Sequence, residues 1–246
     1  MPVIRRAEQK SSNPFPGAHA MAMAGAATGS KYLTVGDLSV EPGKKSAYHI
    51  HPNTEESIFV IEGEVEFRVG NHKFRASAGD CVLANRGVGH GLQNVGDTTA
   101  RLITMYPNPA PERQEIPEVE FVDGPPEKAI FFRGKVNSFE FAPGISRYDM
   151  VGDFRGAEST YFSELIFASG SVAPNHYHPA HEEAMFCLEG TLMAVYAQDD
   201  AIRLQAGDIF VCEPTVRHGI YNASDTTARL LAMHPVLNPP PRVAVD

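Results

Sequence analysis

The sequence predicts an all-β protein built as two tandem barrels or sandwiches, and three observations predict it. Short β-branched and aromatic runs recur between Gly, Pro, Asn and Asp positions. No window sustains the i, i+3, i+4, i+7 apolar stripe of a helix. The chain also repeats itself. An offset of 127 pairs Pro16–Gly17 with Pro143–Gly144, Gly43 with Gly170, His49 with His176, His51 with His178, and Gly63 with Gly190. One inserted residue makes the offset 128, which pairs Gly79–Asp80 with Gly207–Asp208, His90 with His218, Asn94 with Asn222, and DTTAR at 97–101 with 225–229. Register held through a single gap marks a duplicated domain.

Taken in order, residues 1–12 read as a mobile tail or arm and 13–107 as the first domain. Within it, LSVEPGKKSAYHIH (38–51) runs into the turn PNT, followed by ESIFVIEG, EVEFRVG, the turn NHK, FRASAGD, CVLAN and ARLITMY. Residues 108–129 are rich in Pro and Glu without strand or helix period, and read as linker. The second domain is expected over 130–246.

The 246 residues suffice for two such domains, and 43% apolar with 21% charged residues suits chains that fill a core. A formal charge of −9 without a basic stripe argues against nucleic acid or an anionic membrane as partner. No apolar stretch is long enough for a transmembrane helix, and FPGAH interrupts any signal-like run, so a cytoplasmic location is expected. Cys81, Cys187 and Cys212 each sit in apolar runs and read as buried thiols.

The chemistry lies in HIHPNTEE (49–56) and HYHPAHEE (176–183). In a strand, the two histidines of HxH point the same way, about 6.5–7 Å apart. A short turn returns the chain antiparallel and brings a glutamate to that face, and His90 or His218 can close each set. Three neutral imidazoles and a carboxylate suit borderline divalent ions (Fe, Mn, Ni, Cu, Co or Zn) and leave positions open on a six-coordinate ion. His19 and His72 have no such setting. His181 faces Thr54 in the other copy and reads as a loop residue; His234 falls near the Tyr106 position and reads as structural. Periodicity does not choose between Glu55 and Glu56, or between Glu182 and Glu183, because both faces of the following runs are apolar.

These spacings resemble the cupin superfamily. Its first motif, G(x)5HxH(x)3–4E(x)6G, is matched by Gly43, His49, His51, Glu56 and Gly63, and again by Gly170, His176, His178, Glu183 and Gly190. The gap to the closing glycine selects Glu56 and Glu183. The second motif is matched by Gly79, Gly87, His90 and Asn94, and by Gly207, His218 and Asn222. It departs at Asn85 and Glu213, where proline is usual, and at Thr215, where glycine is usual. The resemblance implies two jelly-roll barrels packed as an intramolecular pseudo-dimer, each holding one divalent transition metal and no organic cofactor, with further self-association common in the family.

Function is less determined, because this barrel hosts many chemistries. Oxalate decarboxylases typically carry an arginine three residues before HxH; Ser46 and Ala173 stand there instead, which argues against oxalate. Ile58, Val60, Met185, Cys187 and Met105 are expected around the mouths, and Tyr48 or Tyr177 could act as acid or base beside the ligands. The resulting expectation is a metal-dependent oxygenase of a small enol, diketone or phenol, with Glu56 or Glu183 as proton acceptor. Two alternatives stand: a Lewis-acid isomerase or lyase, and a non-catalytic ligand-binding or storage module.

Overall fold

The computed structural model describes residues 2–198 and 200–245; Met1, Asp199 and Asp246, within the expected arm and second domain, lie outside them. Four 3-10 turns are the only helical pieces among the described residues. Each copy folds into two facing, largely antiparallel sheets. In the first, strand Glu56–Glu62 is central to a seven-stranded sheet, between Cys81–Ala84 and Ala100–Tyr106. The opposing sheet carries His49–Ile50 beside His90–Asn94. The second copy repeats this with Glu183–Glu189 between Ile209–Cys212 and Ala228–His234, facing Val172–Tyr177 beside His218–Tyr221. The chain is therefore a tandem pair of jelly-roll barrels joined as an intramolecular pseudo-dimer.

Alternation along the central strand shows how the sequence builds this. Ile58 and Val60 fill the interior of the first barrel, while Phe59 faces outward. Phe59 enters a shared core with Val35, Ile103 and Met105 of the first barrel and Phe162, Phe186 and Met233 of the second. Both faces of the strand are thus buried, which is why its apolar run lacks alternation. Met105, expected near a mouth, belongs to this inter-barrel core. Gly63 closes the strand at φ +90°, where a Cβ would lie 2.9 Å from Ala100 Cα.

The segments ahead of the two copies are exchanged. Val3–Ile4 pairs with Ile209–Phe210 of the second barrel, and Ile130–Phe131 pairs with Cys81–Val82 of the first. Each covers an edge strand that would otherwise expose unpaired backbone groups. Side chains tie the exchange down. Arg6 reaches the buried Asp37 at 2.7 Å, which Arg101 also holds. In the other half, Arg133 and Arg229 grip the buried Glu164. Residues 1–12, expected as a mobile tail or arm, thus reach partners on both barrels through their backbone and arginines. The stretch expected as linker also pairs in part: Gln114–Glu115 lies beside Ile50–His49, and Val122–Asp123 runs parallel to His72–Lys73.

Candidate metal centres

In the first barrel, His49 and His90 are directly paired across neighbouring strands, and His51 follows where the strand ends. Glu56 opens the central strand of the facing sheet and points to the same interior. One donor atom from each of His49, His51, Glu56 and His90 lies within 4.8 Å of the others, and all four residues are buried. His176, His178, Glu183 and His218 meet the same description in the second barrel.

The hydrogen bonds orient these donors. His49 Nδ1 faces the carbonyl of Ala47 at 2.9 Å, His90 Nδ1 that of Val88 at 2.9 Å, and His51 Nδ1 that of Glu112 at 2.5 Å. Each Nδ1 therefore donates, leaving an Nε2 lone pair directed inward. Glu56 Oε2 stands 2.8 Å from His90 Nε2 and 3.3 Å from His51 Nε2. His51 Nε2 is buried without a hydrogen-bond partner. Lone pairs converging on a carboxylate oxygen need positive charge among them. Donors about 2.0–2.2 Å from one ion at right angles stand about 3 Å apart, so the spacing fits a divalent metal. The second barrel repeats this at two of its three histidines, with His176 Nδ1 on Pro174 and His218 Nδ1 on Val216, while His178 Nδ1 is buried without a partner; Glu183 Oε2 stands 3.0 Å from His218 Nε2 and 3.1 Å from His178 Nε2.

The electrostatics agree with that fit. Burial, reinforced by the neighbouring His90, pushes His49 down to about 4. Burial likewise takes His176 to about 4, against the opposing pull of Glu183. Both are neutral at pH 7, the form that binds metal. Burial pushes Glu56 and Glu183 upward, but the surrounding imidazoles outweigh it and hold both well below the usual carboxylate range. The twin glutamates divide their work. Glu56 and Glu183 face the sites, whereas Glu55 and Glu182 turn outward to the opposite barrel.

The surroundings correct several sequence expectations. His181 lies in the loop between Val172–Tyr177 and Glu183–Glu189, as expected, yet it is 1% exposed and its ring sits 4.5 Å from that of His178, tilted by 37°. His234, expected as structural, has Nε2 3.6 Å from Glu183 Oε1 and Nδ1 3.2 Å from His181 Nε2. His178, His181 and His234 also form a compact buried donor group. In the first barrel Tyr106 takes the place of His234 and donates to Glu56 Oε1 at 2.7 Å. The repeat carried this signal: both residues close the last strand of their copy. Tyr48 points away, donating to the Gly70 carbonyl. Ile58 and Met185 line the mouths as expected, but Val60 and Cys187 pack deeper in the barrel cores. Burial raises the Cys187 thiol to about 12, so it stays an inert packed group.

The two mouths are unequal. The second opens into a cavity of about 470 Å³, the first into one of about 200 Å³. Apolar side chains such as Leu165, Phe167 and Leu230 wall the larger one above the histidines.

The cupin domain family model matches residues 36–106 and 163–234, and the chain belongs to that family. It is a two-barrel cupin with two His/Glu metal-binding sites. Among curated relatives, the tetracenomycin polyketide synthase protein TcmJ of Streptomyces glaucescens is 28% identical over 92 residues, 37% of this chain and 59% of that protein. Germin-like protein 8-14 of Oryza sativa subsp. japonica is 34% identical over 96 residues, 36% of this chain and 45% of the relative. The chain thus spans about half the length of the curated relatives it matches. Among solved structures, the oxalate decarboxylase of Lactobacillus farciminis superposes with a TM-score of 0.80 at 15% identity, over 99% of this chain and 88% of that one. At that identity the likeness speaks for the fold. No helix among the described residues is long and apolar enough to cross a membrane.

Proposed function

We propose that the chain is a metal-dependent oxygenase acting on a small enol, diketone or phenol in the mouth of the second barrel. The carrying observation is the 470 Å³ cavity, of the size that small-molecule sites take, with apolar walls and three imidazoles and a carboxylate at its base. His49, His51, Glu56 and His90 are assigned as ligands of one ion, and His176, His178, Glu183 and His218 as ligands of the other. An Fe(II)-like ion bound there supplies open positions for substrate oxygen and dioxygen. The chain's own groups do the rest. The apolar walls orient a flat substrate and exclude water, and Glu183 accepts the enol proton. His234 lies beside the Glu183 oxygen that faces away from the other imidazoles, and His181 beyond it, so that oxygen has fixed neighbours. The relatives named for polyketide synthases support the substrate class, since polyketides carry repeated carbonyl and enol oxygens.

The Glu183 carboxylate facing the cavity also favours a second reading, a Lewis-acid isomerase or lyase, in which it takes and returns one proton without using oxygen. Oxygen uptake by the anaerobically Fe(II)-loaded chain, on a panel of enols, diketones and phenols, separates the two. Uptake lost in His176→Ala supports the oxygenase. Oxygen-independent turnover by the Zn(II)-loaded chain supports the isomerase or lyase, and binding without turnover leaves a ligand-binding module.

A further inference from the structure

The internal repeat extends past the barrels into the stretches that follow them. After the first barrel the chain reads Asn108-Pro109-Ala110-Pro111-Glu112-Arg113, and after the second Asn238-Pro239-Pro240-Pro241-Arg242. The pairing shows that these are equivalent straps. Glu115 pairs with His49, and Ala244 pairs with His176; two residues back along each strap stands an arginine. Ile116 N donates to Tyr48 O, and Val245 N donates to Asn175 O, so the backbone bonds also correspond. The prolines fix an extended approach, and the strap then docks as an edge strand against the HxH strand. Both arginines consequently line the metal-site cavity of their own barrel.

The cavities differ in what meets that arginine. In the first, Arg113 is paired with Glu115 at 2.8 Å, and Ala20 occupies the wall. In the second, the position equivalent to Ala20 holds Arg147, held by Asp149 at 2.6 Å and packed over Tyr161. Arg242 and Arg147 lie over the same Phe141 ring, at 5.0 and 5.1 Å from its centroid. Arg242 has no ion-pair partner among the described residues and is within electrostatic reach of His218. Two guanidinium groups at the rim of an apolar cavity, one uncompensated, make a receptor for an anion.

We infer that Arg242 and Arg147 bind a carboxylate of the substrate, which makes the second barrel's substrate a small organic acid with its chelating oxygens at the metal end. This rests on the reading that chelating oxygens enter this mouth. Ser46 and Ala173 leave the floor of each barrel without an arginine, so the anion is held at the rim and the molecule must be long enough to reach both ends.

The test is titration calorimetry on the full-length Zn(II)-loaded chain with two probes, 5,7-dioxooctanoate, whose carboxylate stands three methylenes from its diketone, and its methyl ester. They share the chelating diketone and differ in the carboxylate charge. The acid is expected to bind at least about tenfold more tightly than the ester, and Arg242→Gln to remove most of that preference while leaving the ester's affinity within about twofold. Arg242 is exposed on an edge strap, so the variant keeps the barrel intact, which its metal content verifies. Ester and acid binding equally, or Arg242→Gln weakening both alike, overturns the carboxylate clamp alone. Failure of both probes to bind overturns the chelating-mouth reading and the clamp with it.

Discussion

The Glu182 carboxylate, rooted in the second barrel, accepts the backbone N–H of Lys31 in the first at 2.8 Å. It also takes Tyr32 N and the Ser30 hydroxyl. Its counterpart Glu55 returns the favour, accepting Glu158 N and Ser159 N at 2.8 Å each. Both carboxylates are 1% exposed or less. Glu55→Ala or Glu182→Ala leaves two buried-side N–H groups without their charged acceptor, and should cost about 2–3 kcal/mol in urea unfolding. Metal content should stay at the wild-type level, because Glu56 and Glu183 still face the sites. A loss of metal in either variant would show that the latch also shapes the site.

Metal stoichiometry tests the sites themselves. Plasma mass spectrometry of the anaerobically purified chain should give near two equivalents of metal. His49→Ala and His176→Ala should each bring this near one, since a missing imidazole typically costs an ion far more affinity than a changed outer partner does. A value staying at two in either variant would remove that histidine from the ligand set.

Much of this was legible in the sequence, and what was missed has common physical causes. The ligand histidines repeat in type and position, so the two copies corroborate each other at His49/His176, His51/His178 and His90/His218. The fold followed from short β runs and the same repeat. The shared core was hidden because Phe59 and Phe186 look like any strand residue; only the docking of two barrels tells an outward apolar side chain from an inward one. Glu55 and Glu182 could not be separated from their neighbours by period, since their acceptor role depends on the other barrel's turn. His234 and Tyr106 escaped because the repeat aligns them without identity, and their common place beside a carboxylate appears only in three dimensions.

Thr215 illustrates a departure whose cost can be measured. It stands at φ +68°, in the turn where the first copy has Gly87 at φ +74°. A β-branched residue in the left-handed region is strained by about 1–2 kcal/mol, whereas glycine adopts it freely. The turn is held by Thr215 N donating to His178 O, as Gly87 N does to His51 O. Thr215→Gly should therefore stabilise the chain by about 1 kcal/mol, net of glycine's greater unfolded-state freedom, and raise Tm by a few degrees in calorimetry. An unchanged or lowered Tm would mean that the threonine side chain compensates for its backbone.

The metal-free chain should lose stability as pH falls below about 6.5. Burial holds His49, His176 and His181 down at about 4 and His234 at about 3 in the folded state, against 6.5 when unfolded. Between those values the unfolded chain binds protons that the folded chain refuses, so stability rises with pH across the window and is lost as pH drops through it. Glu56 and Glu183, held low by their imidazole neighbours, act in the same direction at still lower pH. His51 and His218 oppose the trend: burial disfavours their charge, but the adjacent Glu56 and Glu183 carboxylates outweigh it and raise them. Their contribution is full below 6.5 and fades above it. Four lowered imidazoles against two raised ones leave acid destabilisation as the net outcome. Urea midpoints measured from pH 7.5 to 4.5 in the presence of a chelator should fall steadily. Flat midpoints would place the histidine cluster in contact with water, and so contradict the closed, neutral donor sets on which metal binding depends.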